Sequence, residues 1–203
     1  MSRHRDFQDL CRRWRDAPFL CLDTEFVRTR TFFARLGLVQ VNDDSETVLL
    51  DAVALTDRGP LRDLLAGYER DVVLHSCGED LGIFAHELGL VPKRVFDTQI
   101  VASLLGLGFS LSYQALVQKL LGEDVIKGET RSDWTARPLR QAQLRYAASD
   151  VEHLPAVYRR LSARLDETGR REWAREELAQ LSDIDRYRIE PRDGWRRVRG
   201  AGG

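Results

Sequence analysis

The chain has 203 residues, of which 43% are hydrophobic and 31% charged, a size and composition typical of one globular domain. No apolar run reaches membrane-spanning length, and the polar N-terminal residues lack the apolar stretch of a signal peptide. The formal net charge of −1 excludes the strongly basic composition of many nucleic-acid binders. Cys11, Cys21 and Cys77 are widely spaced, which predicts a reducing cytoplasm and neither a disulfide framework nor a zinc cluster.

The first part of the chain predicts a helix followed by three strands. Apolar residues recur at helical spacing in residues 7–14, which predicts an amphipathic helix. Residues 19–27 are short and mostly apolar, as is typical of a strand in the middle of a sheet. Residues 35–41 and 47–53 are two further strand-like segments. Because the connections are short, we expect the three strands to form an antiparallel meander.

The rest of the chain predicts two more strands and then mostly helices. The two strands and the helix between them are predicted at residues 72–76, 94–96 and 79–88. Ser112 is placed to cap a later helix through its hydroxyl group. Residues 139–165 predict one long helix bent at Pro155, and residues 170–181 predict another.

These elements predict one α/β domain over residues 1–187, in which a mixed five-stranded sheet is flanked by helices. We find no internal repeat and no low-complexity linker that would divide it. Residues 188–203 are predicted to be a weakly structured basic tail, because they are rich in arginine and end in small residues.

Two acidic residues interrupt the apolar strand at residues 19–27. Side chains alternate along a strand, so Asp23 and Glu25 point to the same side. Two like charges near a core are unfavourable unless a cation compensates them, and a divalent metal binds carboxylate oxygens well. The alternative is that both acids lie beyond the buried part of the strand and are solvated.

Two more acids are candidates for the same site. Asp80 follows a predicted strand at the start of a helix, where negative charge is favourable; it can equally be an ordinary first-turn helix acid. Asp150 lies four residues after Tyr146, so both side chains share one helix face. A phenol beside a carboxylate can position a water molecule, although the pair also suits a surface helix with a half-buried tyrosine.

Three segments resemble the exonuclease motifs of the DEDD superfamily: LDTEF at residues 22–26, HSCGEDL at 75–81 and YAASD at 146–150. The tyrosine in the third motif is typical of the tyrosine subclass, since the histidine subclass would carry histidine in place of Arg145. Further segments resemble bacterial ribonuclease D, namely residues 23–30, 35–40, 96–99, 131–134 and 137–139, and this similarity extends over about residues 5–198. Members of that family usually carry helical HRDC domains after the catalytic domain, and this sequence ends near the point where the first would begin. Substrate binding is then expected to rest on the catalytic domain alone or on a partner chain.

The resemblance implies a ribonuclease H-like fold and two divalent cations, Mg²⁺ or Mn²⁺, with no organic cofactor. The positions that match the metal ligands are Asp23, Glu25, Asp80 and Asp150. Tyr146 matches the residue that orients the attacking water, and Asp97 is expected to have a structural hydrogen-bonding role because the ligand set is complete without it. Without metal, four carboxylates repel one another, so we expect at least one to hold a proton.

The resemblance also implies a cytoplasmic 3′–5′ exoribonuclease that releases nucleoside 5′-monophosphates from single-stranded RNA 3′ ends. Its expected substrates are tRNA precursors or other structured RNAs, and no membrane association is expected. Two alternatives remain open at this point: a 3′–5′ DNA exonuclease, and a non-catalytic RNA-binding module of the same fold. The intact carboxylates speak against the second alternative, because a binding module gains nothing from a repulsive acidic cluster.

Basic groups are expected beside the acidic site because the substrate is a polyanion. We predict that Arg28 and Arg131 hold backbone phosphates and that Phe26 packs against the terminal nucleotide. The alternative is that these arginines form internal ion pairs, for example with Asp133. Three histidines lack the spacing of a zinc site and are predicted to be structural or surface residues: His75, His86 and His153.

Overall fold

A computed structural model describes residues 3–29, 31–126, 128–129 and 132–188, with side chains from residue 6 onward. The strands are β1 (Leu20–Val27), β2 (Arg35–Asn42), β3 (Thr47–Asp51), β4 (Val72–Leu74) and β5 (Val95–Asp97). They form one sheet in the order β3-β2-β1-β4-β5. β1, β2 and β3 pair antiparallel, whereas β4 and β5 run parallel to β1. The predicted meander and mixed five-stranded sheet are therefore confirmed.

Helices cover both faces of the sheet. They are α1 (Arg3–Trp14), α2 (Gly59–Gly67), α3 (Gly78–Glu87), α4 (Thr98–Leu104), α5 (Tyr113–Leu121), α6 (Gln141–Glu152), α7 (Leu154–Glu167) and α8 (Arg171–Ala179). Leu20 and Leu22 of β1 pack with α1, α2 and α3 in one buried cluster. Cys21, which points to the opposite face, packs in a second cluster with α4, α5, α7 and α8. The central strand is thus buried on both sides, as its apolar sequence predicted.

The prediction of one long helix over residues 139–165 is wrong. α6 ends at Glu152 and α7 begins at Leu154, so the break falls at His153 and Pro155 lies in the first turn of the new helix. Proline has no N–H group to donate and its ring collides with the preceding turn, so it is tolerated at a helix start but not inside a helix. Two helices result, and each can follow its own direction across the sheet.

The connections after the parallel strands lie at one end of the sheet, beside the candidate site residues. β4 ends at Leu74, and the chain turns through Ser76, which has a φ of 57°, into the first turn of α3. The parallel strands β1, β4 and β5 therefore present their carboxyl ends together. Along the described part of the chain, no helix has the length and apolar character needed to cross a membrane. The proposed tail lies outside the described residues from residue 189 onward.

Candidate active site

Three carboxylates from two different elements meet above the central strand. Asp23 and Glu25 lie in β1 and Asp150 lies in α6. Each offers an oxygen atom, and the three oxygens lie within 4.8 Å of one another. Residues two apart on a strand share a face, and α6 crosses that face of β1. The structure thus brings together three of the four acids selected from the sequence.

The neighbouring strand supports the first of these acids. Gln40 of β2 lies directly opposite Asp23 in the antiparallel register. Its side-chain nitrogen lies 3.5 Å from Asp23 Oδ2 as a long hydrogen bond, and its side chain is fully buried. The pairing register shifts between Glu25 and Phe26, and an irregularity of this kind changes the direction of the neighbouring side chains. Gln40 therefore limits the freedom of the Asp23 carboxylate.

Asp80 approaches from the other face of the sheet. It lies in the first turn of α3, and its Oδ1 accepts a hydrogen bond of 2.5 Å from the Thr24 hydroxyl group. Thr24 points away from its neighbours Asp23 and Glu25, because side chains alternate along β1. Asp80 is 6% exposed and is not one of the three clustered carboxylates among the described residues. It stands beside the cluster at the point where short β4 has ended.

All four carboxyl groups have raised pKa values. Burial raises the pKa of Asp23 well above its usual range, and the charges of Asp80, Asp150 and Glu25 raise it further. Burial and then the charges of Asp150 and Asp80 raise the pKa of Glu25 to about 9. Burial also raises the pKa of Asp80 to about 7, against the opposing hydrogen bond from Thr24, and that of Asp150 to about 7. Without a cation, the site therefore keeps protons at neutral pH.

This donor set fits divalent metal ions. It consists of carboxylate oxygens, which are the ligands that Mg²⁺ and Mn²⁺ prefer. Bringing the acids together is unfavourable when they are ionised, and a cation removes this repulsion. Within the residues that the structure describes, Asp23, Glu25 and Asp150 form the group with metal-ligand spacing. The fold and this acidic cluster support the use of a divalent metal.

Tyr146 lies one turn before Asp150 on α6 and faces the same cluster. Burial raises the pKa of its phenol, and the charges of Asp150, Glu25 and Asp23 raise it further, so the hydroxyl group stays protonated. The ring packs against Trp134 with 6.1 Å between the ring centroids. Both side chains belong to a small buried cluster, which holds the tyrosine in place. The phenol is thus a positioned hydrogen-bond donor beside the acids.

The loop that carries Trp134 is fastened to the far edge of the sheet by Arg137. Its guanidinium group donates to the Asp51 carboxylate at 2.8 Å and to the backbone oxygens of Gly37 and Trp134, at 2.8 and 2.9 Å. Gly37 allows a close approach, since a Cβ atom there would lie 2.4 Å from the Trp134 carbonyl oxygen. These contacts position the loop under Tyr146.

The predicted substrate-binding residues have mixed outcomes. Arg28 Nη2 lies 2.7 Å from Glu79 Oε2, so an ion pair of the kind considered as the alternative is present, although both side chains are half exposed. Phe26 is partly buried against the first core cluster, with the Arg28 guanidinium 6.0 Å from its ring centroid. Arg131 lies outside the described residues. Phosphate binding by the arginines and nucleotide packing by Phe26 remain predictions.

Asp97 has the hydrogen-bonding surroundings expected of a structural residue. It is 3% exposed, and its carboxylate accepts hydrogen bonds from four backbone N–H groups. Two of these donors lie in the turn before α3, at Ser76 and Cys77, and two lie in the first turn of α4, at Gln99 and Ile100. Asp97 thereby connects the segment that leads to Asp80 with the neighbouring helix.

Reasoning from the sequence missed three supporting residues. Gln40 supports Asp23, Thr24 binds Asp80, and Trp134 packs against Tyr146. Gln40 and Trp134 fall within the segments that resemble ribonuclease D, but nothing local indicated what they contact. The alternation of side chains placed Thr24 opposite the acids, and a polar residue on that buried face was the available signal.

Comparison with known proteins agrees with this geometry. A sequence model described as 3′–5′ exonuclease matches residues 1–166. Ribonuclease D of Pseudomonas paraeruginosa is 45% identical over 189 residues, which are 93% of this chain and 50% of that protein. The chain thus spans about half the length of the curated relatives it matches.

Solved structures share the fold. Escherichia coli RNase D, described as an exoribonuclease involved in structured RNA processing, has a TM-score of 0.87 and 34% identity, over 96% of this chain and 52% of that one. Brucella melitensis NrnC with bound Mg²⁺ has a TM-score of 0.74 and 28% identity, over 90% of this chain and 89% of that one. The predicted exonuclease fold and the resemblance to ribonuclease D are therefore confirmed.

Proposed function

The chain belongs to the 3′–5′ exonuclease family, and from this premise we propose that it is a metal-dependent 3′–5′ exoribonuclease releasing nucleoside 5′-monophosphates. One observation carries the proposal: oxygens of Asp23, Glu25 and Asp150 converge within 4.8 Å beside a protonated phenol. A purely structural domain has no use for such a repulsive cluster. The ribonuclease D relatives favour RNA over DNA as the substrate.

We assign each residue a role from its place in the site. Asp23, Glu25 and Asp150 would hold divalent cations. Asp80, which lies beside this cluster, would supply a fourth carboxylate. Two ions, Mg²⁺ or Mn²⁺, would supply activation of water and neutralisation of the charge that develops on phosphate. Magnesium in the NrnC structure supports this choice. The Tyr146 phenol donates a hydrogen bond that orients the attacking water toward the phosphorus atom.

The substrate proposal is a single-stranded 3′ end of a structured RNA, with tRNA precursors as the first candidates. The similar Escherichia coli enzyme is involved in structured RNA processing, which supports this choice. Arg28 and Arg131 are proposed to bind upstream phosphates, with Phe26 against the terminal nucleotide. For Arg28 this requires the guanidinium to exchange Glu79 for a phosphate, and the half-exposed pair allows that exchange. A cytoplasmic location is part of the proposal, since Cys11, Cys21 and Cys77 are buried free thiols.

The test is a time course on RNA labelled at its 5′ end, with Mg²⁺, Mn²⁺ or EDTA. We expect stepwise shortening from the 3′ end with either metal and none in EDTA. The products should be nucleoside 5′-monophosphates, identified by chromatography. A DNA oligonucleotide of matched sequence, degraded in parallel, tests the choice of sugar.

The matched control is Asp23→Asn, which keeps the shape of the side chain and removes a charge from the cluster. We expect it to be folded and inactive. Equal degradation by Asp23→Asn and wild type would show that the activity comes from another site. Faster degradation of DNA than of RNA would overturn the ribonuclease assignment.

A further inference from the structure

Three aromatic side chains form an exposed patch, two of them from residues that follow β1 and one from α3. Phe33 stacks on His86 with 3.9 Å between ring centroids and 5° between ring planes. Phe32 meets Phe33 edge to face at 4.9 Å. Phe32 and Phe33 remain 42% and 37% exposed, and His86 is exposed as well. We call Phe32, Phe33 and His86 the aromatic platform.

The aromatic platform has a defined position relative to the acids. Two contacts join residues that follow β1 to α3: Arg28 pairs with Glu79 in the first turn of the helix, and Phe33 stacks on His86 in its last turn. Asp80 and His86 are six residues apart, which is about 9 Å along a helix axis at 1.5 Å per residue. This rise from Asp80 to the platform is short enough for one single-stranded nucleic acid to span.

We propose that the aromatic platform stacks with nucleobases of the substrate strand upstream of its 3′-terminal nucleotide. This rests on the proposed function and adds to it a binding site for the single-stranded part of the RNA. Every base has a flat π face, so stacking holds a strand without selecting its sequence. An exonuclease that removes successive nucleotides needs such sequence-tolerant binding.

The surroundings favour nucleic acid as the occupant. Two exposed arginines flank the two phenylalanines in the chain: Arg28, which follows β1 and pairs with Glu79, and Arg35, which begins β2. Cations beside exposed aromatic rings match the two parts of a single strand, its phosphates and its bases. Docking of a protein segment is the alternative occupant, and the experiment below separates the two.

The experiment compares RNA affinity of wild type with the double variant Phe32→Ala, Phe33→Ala, in Ca²⁺ to suppress cleavage. A single-stranded oligonucleotide labelled with fluorescein reports binding by anisotropy. Loss of base stacking predicts a dissociation constant raised about 5- to 150-fold. The control is Trp173→Ala, which removes another exposed aromatic residue, from α8, and should leave the affinity unchanged. Thermal melting checks that both variants are folded.

Two further measurements identify stacking itself. Phe33→Tyr keeps a flat ring and should retain the wild-type affinity, whereas Phe33→Leu keeps apolar character and should lose it. Replacing upstream nucleotides by abasic sites should weaken binding to wild type but not to the double variant. If Phe33→Leu binds like wild type, or if abasic RNA binds as tightly as intact RNA, the proposal is overturned.

Measurements of catalytic activity distinguish a failure of the stacking proposal from a failure of the proposed function. Hydrolysis of the p-nitrophenyl ester of thymidine 5′-monophosphate, which has no upstream base, should be equal in wild type and the double variant. Wild type that degrades neither this ester nor RNA would contradict the proposed function. If wild type degrades RNA but the double variant binds RNA as tightly as wild type, only the proposed stacking at the aromatic platform is refuted. If the double variant changes its oligomeric state but not its RNA affinity, the platform binds protein, and the proposed stacking with nucleobases is refuted as well.

Discussion

Replacing Asp80 by asparagine should stabilise the metal-free protein at alkaline pH. The carboxyl group is 6% exposed, and its pKa in the folded chain is raised to about 7. Asparagine has nearly the same shape, and its oxygen can still accept the hydrogen bond from Thr24. The substitution thus removes a buried charge and retains the contact that holds the side chain.

The magnitude follows from the shift in pKa. The folded state binds the proton more tightly than the unfolded state, so its stability falls as pH rises from about 4 to about 8. A shift of about three units at about 1.36 kcal/mol each gives a penalty of about 4 kcal/mol once Asp80 is fully ionised. Below about pH 4 both states are protonated and the penalty is less than about 1 kcal/mol. The free energy of unfolding of Asp80→Asn should therefore exceed that of wild type by these amounts at the corresponding pH.

Urea unfolding in EDTA at acidic and alkaline pH measures this difference. The matched control is Asp97→Asn, a buried aspartate whose carboxylate accepts four backbone hydrogen bonds. It should be less stable than wild type at both pH values, by about 1–3 kcal/mol, because an amide nitrogen replaces one carboxylate oxygen and the buried backbone donors are left with a single acceptor atom. Mg²⁺ should shrink the advantage of Asp80→Asn, since metal stabilises the folded wild type. An Asp80→Asn variant that is less stable than wild type at alkaline pH, or a pH-independent difference, would refute the reasoning.

Three further predictions concern Tyr146 and the loop beneath it. Tyr146→Phe removes the hydroxyl group, so cleavage should slow by about 10²–10⁴-fold with near-normal RNA binding, and full activity would contradict the role of the phenol. Gly37→Ala places a Cβ atom against the Trp134 carbonyl oxygen, so urea unfolding should show a loss of about 1–3 kcal/mol, together with a lower kcat. Arg137→Lys cannot donate to Asp51 and to two carbonyl oxygens at once, so a similar loss of stability is expected, and an unchanged melting temperature would show that Arg137 does not fasten the loop.

The sequence alone determined the features that depend on local periodicity. Alternation along β1 placed Asp23 and Glu25 on one side, and helical spacing placed Tyr146 and Asp150 on one face. Apolar patterning located the five strands, and the order of the three motifs indicated the exonuclease fold. A local pattern is sufficient in these cases because the period of a strand or helix follows from backbone geometry.

Only the tertiary structure decided how these faces meet. The register that sets Gln40 opposite Asp23 and the packing of Trp134 on Tyr146 both depend on contacts distant in sequence. The same holds for Asp80, which accepts a hydrogen bond from Thr24 on the face of β1 opposite Asp23 and Glu25. Distant contacts of this kind are fixed by packing between elements, and no period in the chain encodes them.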